Sequence, residues 1–258
     1  MDYKFLILDL DGTVYLDGKP IKNIVEKLNS HLGNDGEIIY LSNNTSVSRK
    51  SYLDKLLNLG LNVSFEDIIT PVVVAGKYLK QNYSKGYTVG SKDFVNELVN
   101  EYEINFEDKE PEFVLISFDR ELTYSKLETA CMFINKGIPY YITHIDLACP
   151  TIKGPIPDCG AISLMIESVT GKKYRDHFGK PSLQMVDFIK NKLNKEKKAL
   201  MVGDRIYTDM LLGNKLNIDT LLVLSGESDF DDYLNSKKIK ITHCSPTLVD
   251  FFDEKNKK

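Results

Sequence analysis

Asp9 and Asp11 flank Leu10 and run into Gly12-Thr13 at the end of a short apolar run. Alternation along a strand would turn both side chains to one face, and two like charges that close need a cation or a shared proton. A second acidic pair stands in Gly203-Asp204-Arg205-Ile206-Tyr207-Thr208-Asp209, again just after an apolar run, residues 199–202. Three or four carboxylates at one sheet edge form an oxygen-rich site suited to a hard octahedral ion, and magnesium fits that description. Ser42-Asn43-Asn44-Thr45 puts small donors ahead of a helix N-terminus, the geometry that receives a phosphate. Lys180, between Gly179 and Pro181, stands where another loop enters a helix and sets a cation beside such a phosphate. Taken singly, each feature also has a plainer reading: turn carboxylates at an Asp-Gly, ordinary helix capping, a solvated surface lysine.

The elements that must carry these residues are legible from hydrophobic spacing. Residues 4–9 read as a strand, and Ile21, Ile24, Val25, Leu28 and Leu32 then recur at helical spacing. A second buried strand spans 37–42, followed by a helix over 46–59 stopped by Gly60. A brief strand at 68–70 precedes Pro71, which opens a helix to about residue 81. Further strands at 87–90 and 112–118 are each followed by a helix, the second capped by Thr123 and ended by Gly137. A strand at 140–143, helices at 159–169 and 181–193, a strand at 199–203, a helix at 207–215 and a strand at 220–224 complete the pattern. This alternation predicts an α/β protein with a mostly parallel sheet covered on both faces. Ligands of such sheets bind at the carboxyl ends of the strands, where the acidic pairs fall.

The chain of 258 residues carries 33 Lys+Arg against 37 Asp+Glu, a formal charge of −4 that argues against a nucleic-acid-binding surface. With 42% hydrophobic and 27% charged residues it is an ordinary globular composition, long enough for one large domain or two modest ones. No apolar run approaches the ~18 residues of a membrane span, and the N-terminus lacks a signal architecture, so a cytoplasmic protein is expected. Cys131, Cys149, Cys159 and Cys244 show no C-x-x-C spacing and read as buried reduced thiols. His31, His177 and His243 belong to no motif and read as structural, and the basic tail 255–258 is expected to fray.

Taken jointly, Asp9-Leu10-Asp11-Gly12-Thr13, Ser42 after a buried strand, Lys180, and Gly203-Asp204 with Asp209 resemble the four motifs of the haloacid dehalogenase-like phosphohydrolases. The likeness is closest to the branch of nitrophenylphosphatases and NagD-like nucleotide and sugar phosphatases. It rests on Asp11-Gly12-Thr13-Val14-Tyr15, Ser42-Asn43-Asn44-Thr45, Phe178-Gly179-Lys180-Pro181-Ser182, and Gly203-Asp204-Arg205 with Thr208-Asp209.

The resemblance implies a Rossmann-like, doubly wound parallel-sheet core over residues 1–78 and 177–258, with a large inserted α/β cap domain of type C2 over 79–176 that sets substrate specificity. It implies Asp9 as nucleophile and Asp11 as acid, then base. It further implies magnesium on Asp9, Asp204 and the backbone carbonyl of Asp11. Ser42 and the backbone N–H groups near Asn43 and Asn44 are expected to hold the phosphate oxygens, Lys180 to neutralise them, and Asp209 to orient metal waters or Lys180.

Phe118-Asp119-Arg120 with Tyr124, Lys126 and Leu127 resembles the branch's cap segment, so Asp119 and Arg120 are expected at the substrate. Ile142-Thr143-His144-Ile145-Asp146 stands where the branch often has Ala-Thr-Asn-Pro-Asp, and Pro157-Asp158-Cys159-Gly160 replaces a Gly-rich turn. His144 and Asp146 are carried as substrate contacts from this divergent segment, although His144 also reads as a structural histidine. The expected reaction is hydrolysis of phosphate monoesters of small metabolites, sugar phosphates or nucleotides, through an aspartyl phosphate. A phosphotransferase or mutase on the same scaffold and a non-catalytic phosphometabolite-binding protein are the alternatives. The implied partners are a small phosphorylated metabolite and, as caps of the branch often mediate dimers, a second copy of the chain; no nucleic acid or membrane is implied.

Overall fold

The computed structural model describes residues 3–151, 153–193 and 196–255. They divide into two compact units, Met1–Ser42 with Arg49–Ile69 and Val186–Lys258, and Asn43–Ser48 with Thr70–Met185.

The first unit is built on six parallel strands in the order His243–Ser245, Asp219–Val223, Ala199–Gly203, Phe5–Leu8, Glu37–Leu41, Ile68–Ile69. The first strand of the chain thus lies mid-sheet, and successive connections run outward from it on either side, as in doubly wound sheets. All four residues of Phe5–Leu8 are buried, because both of its faces are covered. Its register pairs Leu8 with Val202 on one side and with Tyr40 on the other. The ladder continues one step further, with Asp9 N donating to Val202 O at 2.9 Å and Ser42 N donating to Ile69 O at 3.1 Å. Asp9, Ser42 and Gly203-Asp204 therefore leave the sheet along one carboxyl edge.

Local chemistry adjusts the expected boundaries. The first helix starts at Ile24 rather than Ile21 because Asn23 adopts a left-handed conformation, φ 65°. Asp17-Gly18, both at positive φ, turns the short hairpin Tyr15–Leu16/Lys19–Pro20 that spacing did not disclose. The single helix expected over 207–215 is a π turn, Ile206–Met210, leading into Leu211–Leu216. Beyond residue 224, helix Phe230–Asn235, strand His243–Ser245 and helix Leu248–Lys255 complete the unit. Of the tail expected to fray, Lys255 ends that last helix, and 256–258 lie outside the described residues.

The second unit holds a four-stranded parallel sheet in the order Asn105–Phe106, Lys85–Val89, Phe113–Ile116, Tyr140–Ile142. Its helices are Pro71–Asn82, Lys92–Tyr102, Tyr124–Asn135 and Cys159–Thr170. Pro71 opens the first as expected. Ser91, Thr123 and Asp158 cap the others by accepting from Phe94 N, Lys126 N and Cys159 N. Val89, Val114, Ile116, Phe133 and Ile162 anchor its apolar core. The unit starts at Thr70, ahead of the expected residue 79, and runs to Met185. Aromatic packing draws both flanks in: Gly76 faces the Tyr102 ring, and Tyr78 lies 5.4 Å from Phe178 and 5.7 Å from Tyr141 between ring centroids.

All four cysteines are free, as expected, but only Cys159 is fully buried. Burial pushes its thiol up to about 12. Among the described residues no helix is long and apolar enough to cross a membrane.

Candidate active site

In the first unit the carboxyl edge gathers Asp9, Asp204 and Asp209, each buried and each offering a carboxylate oxygen, all within 4.8 Å of one another. Three enclosed carboxylates at that spacing repel strongly unless a cation joins them, and an all-oxygen donor set suits magnesium. The neighbours hold two of these carboxylates in place. Asp204 Oδ2 accepts from Glu227 N at 2.7 Å, and Gly12 and Gly226 both lie so close to that carboxylate that neither position has room for a Cβ. Asp209 packs against Gly203 and accepts from Arg205 N at 3.0 Å. The Arg205 guanidinium, 2.9 Å from Glu227, ties the two loops together.

Asp11 takes a different position. It is exposed, and its side chain stands outside that carboxylate group. Oδ2 instead accepts from the Tyr15 hydroxyl at 3.3 Å. Tyr15 is wholly buried, and its phenol is pushed well above the ordinary range, by desolvation first and then by the Asp11 carboxylate. The Lys55 ammonium sits 3.3 Å from the centroid of the same ring. Burial lowers the Lys55 pKa against the opposing pull of Asp11. Ser42 is buried with Oγ 3.2 Å from the Tyr52 hydroxyl. Thr13 and Thr208, which flank the two acidic motifs in sequence, bury hydroxyls that have no hydrogen-bond partner among the described residues.

The second unit assembles the other motif residues. Asn43 uses its whole side-chain amide: Oδ1 accepts from Lys180 N at 2.8 Å, while Nδ2 donates to Lys180 O at 3.2 Å and to Asp146 Oδ2 at 2.9 Å. All three residues are buried. Asn44 Oδ1 accepts from both Ser46 N and Ser46 Oγ, the local turn that leads toward the next helix. Thr45 Oγ1 accepts from Phe118 N at 3.2 Å. Asp119, expected at the substrate, is enclosed, with Oδ2 2.7 Å from the Lys126 ammonium and Oδ1 accepting from Glu121 N. Its neighbour Arg120 is exposed. His144 is fully buried, with Nε2 2.7 Å from Asp158 Oδ1 and Nδ1 2.9 Å from Thr143 Oγ1. Both ring nitrogens are engaged in the unit's own framework, which argues against His144 as a substrate contact and for its structural reading.

Tyr15 stands in the motif Asp11-Gly12-Thr13-Val14-Tyr15, but its hydrogen bond to Asp11 was not legible there, and linear order did not disclose Tyr52 and Glu227. Glu227 had a usable signal, since it follows strand Asp219–Val223 at the same sheet edge; Tyr52 had none beyond its apolar bulk.

The haloacid dehalogenase-like hydrolase family profile matches residues 6–104, and a HAD-hydrolase-like profile matches 177–251. The solved 4-nitrophenylphosphatase from Thermotoga maritima is 32% identical, with 98% of this chain and 97% of that one covered and a TM-score of 0.90. The chain belongs to the haloacid dehalogenase-like hydrolases. This hydrolase is also similar to 5'-nucleotidase YutF of Bacillus subtilis, 26% identical over 252 residues that cover 96% of this chain and 97% of that protein. It is 28% identical over 254 residues to ribonucleotide monophosphatase NagD of Escherichia coli K12, covering 97% and 98% of the two chains. These relatives set the hydrolase in the NagD and nitrophenylphosphatase branch. The two profile matches carry every acidic motif residue and Lys180, whereas residues 105–176, most of the second unit, fall outside both.

Proposed function

We propose that this hydrolase is a magnesium-dependent phosphatase acting on phosphate monoesters of small metabolites, with sugar phosphates and nucleotides as the leading classes. The observation that carries the reading is the buried group Asp9, Asp204 and Asp209, with Asp11 two residues beyond Asp9 and outside it. In this reading Asp9 supplies the nucleophile, and Asp11, outside the group, serves proton transfer. The names of the relatives, a nitrophenylphosphatase, a nucleotidase and a ribonucleotide monophosphatase, support the reaction class and the substrate classes.

An Asp9 carboxylate oxygen attacks phosphorus, the bond to the leaving oxygen breaks, and the aspartyl phosphate forms. Asp11, protonated at that stage, gives its proton to the departing alkoxide. The Asp11 carboxylate then takes a proton from water as the water oxygen attacks phosphorus and frees Asp9. Asp9, Asp204 and the Asp11 backbone carbonyl, with Asp209 alongside, would hold magnesium, which would supply the positive charge that offsets the repulsion between nucleophile and phosphate. Ser42 and the backbone N–H groups at Asn43 and Asn44 hold the phosphate oxygens, and Lys180 neutralises their charge.

The second unit serves as the cap that selects the leaving group, and exposed Arg120 is its first candidate determinant, through charge pairing with an anionic leaving group. The protein works in the cytoplasm, and the cap is also the surface through which two copies would pair. A phosphate-release screen over phosphorylated metabolites, with and without magnesium, tests the function. Magnesium-dependent release ranked by kcat/KM supports it. Binding without release, or transfer of the phosphoryl group to a second metabolite, would assign the scaffold to one of the alternatives instead.

A further inference from the structure

We infer that Asp146 is a positioning residue for Lys180, acting through the Asn43 amide, and not a residue that reads the substrate. The inference rests on the phosphatase reading, in which Lys180 neutralises the phosphate. The three residues form one buried chain within the second unit: Asp146 Oδ2 to Asn43 Nδ2 at 2.9 Å, then Asn43 Oδ1 to Lys180 N at 2.8 Å. Nδ2 also reaches Lys180 O at 3.2 Å, so one amide grips both sides of the Lys180 residue.

An amide has a donor end and an acceptor end, and it satisfies the Lys180 N–H only with its oxygen turned that way. Lys180 O and Asp146 Oδ2 are both acceptors, and each rewards the orientation that points Nδ2 at it. A carboxylate has no donor with which to tolerate the flipped amide, and a hydrogen bond to an ionised acceptor is among the stronger kinds. Asp146 therefore fixes which way Asn43 faces, and Asn43 fixes the backbone from which the lysine side chain starts.

The surroundings leave little freedom for another arrangement. A Cβ at Gly179, the residue before Lys180, would stand 2.7 Å from Asn43 Oδ1, 2.7 Å from His144 Cβ and 2.9 Å from Thr143 O. Asp146 O accepts from Gly160 N at 2.8 Å, and His144 is pinned to Asp158, so both ends of the divergent segment are anchored. This segment thus braces the lysine loop, which gives it a role distinct from specificity.

The test measures phosphate release from nitrophenyl phosphate and from the metabolite panel. Asp146→Leu is expected to lower kcat by about tenfold or more on every substrate, with the ranking of metabolites unchanged. In a Lys180→Met background the same substitution should add less than about a twofold loss, because its effect runs through the lysine. Asn43→Asp sets two carboxylates face to face and should lose more than Asp146→Leu. Adding Asp146→Asn restores a donor facing an acceptor between positions 43 and 146, though not toward Lys180 O, and should recover a measurable part of that loss. The swap keeps the test decisive even if Asp146→Leu folds poorly. A changed ranking with nitrophenyl phosphate turnover intact would overturn the inference, as would a double swap no better than Asn43→Asp or a full multiplicative loss in the Lys180→Met background. Absence of phosphate release by the unsubstituted protein would instead overturn the phosphatase reading itself.

Discussion

Gly12 and Asp204 meet at the carboxyl edge of the first unit: Gly12 holds φ at +87°, and a Cβ built on it would stand 2.5 Å from Asp204 Oδ2. The glycine of the first acidic motif is therefore required twice, for its left-handed backbone and for the space the second motif's carboxylate fills. Gly12→Ala should displace Asp204 and lower metal-dependent turnover by about 10²-fold, the cost of misplacing a catalytic group by an ångström. Magnesium titration followed by calorimetry, alongside phosphate release, checks it. Wild-type magnesium affinity in Gly12→Ala would show that Asp204 tolerates the shift and does not hold the ion.

Asp11 stands outside the buried carboxylates and takes its hydrogen bond from Tyr15, a placement suited to proton transfer. Asp11→Asn should slow phosphoryl transfer from alkyl phosphates by about 10²–10⁴-fold. Nitrophenyl phosphate, whose leaving group needs little protonation, should suffer less in that step. Pre-steady-state phosphorylation rates across leaving groups distinguish the outcomes, and an equal loss on all of them would remove Asp11 from the acid role.

Activity should require magnesium or a cation of similar hardness and size, and calcium should inhibit. Calcium takes a larger and looser shell, which would let Asp9 drift from its line of attack. Phosphate release after chelation, then after addition of each ion, measures this. Full activity in a chelated sample would contradict the metal site.

Acid should weaken the fold through His31 and His243. Burial is the leading cause that lowers both imidazoles from their ordinary 6.5, and both rings pack on the last helix, His31 against Phe252 and His243 against Phe251. With folded values below unfolded ones, the contribution is fully present above about pH 6.5 and is lost as pH falls through the folded values. The thermal midpoint should drop across that window, and a chain carrying His31→Gln and His243→Gln should show a shallower drop. Identical pH dependence in the two chains would assign the acid sensitivity elsewhere.

The parallel core was legible because its strands are continuous apolar runs ending in carboxylates, so Phe5–Leu8 and Ala199–Gly203 declared both themselves and the edge where Asp9 and Asp204 emerge. His243–Ser245 was not, since three residues flanked by polar turns give no periodicity. The motif residues were found by type and spacing, but their partners were not. Asn43 reads in sequence as a phosphate-side capping residue, and only the fold shows its amide spent on Lys180 and Asp146. His144 likewise became a framework residue once the chain brought Asp158 to it. The start of the second unit at Thr70 escaped detection because rings far apart in sequence, Tyr78, Tyr141 and Phe178, decide it.

Asp9 should become phosphorylated during turnover, which acid-quenching the reaction and mapping the phosphorylated peptide by mass spectrometry would detect most directly. Asp11→Asn, which slows release of the phosphate to water, should accumulate phosphate on Asp9 when given nitrophenyl phosphate and magnesium. Asp9→Asn should show neither the modified peptide nor turnover, because an amide of the same shape is a poor nucleophile. Sustained phosphate release by Asp9→Asn, or turnover by Asp11→Asn with no phosphate found on Asp9, would contradict the account.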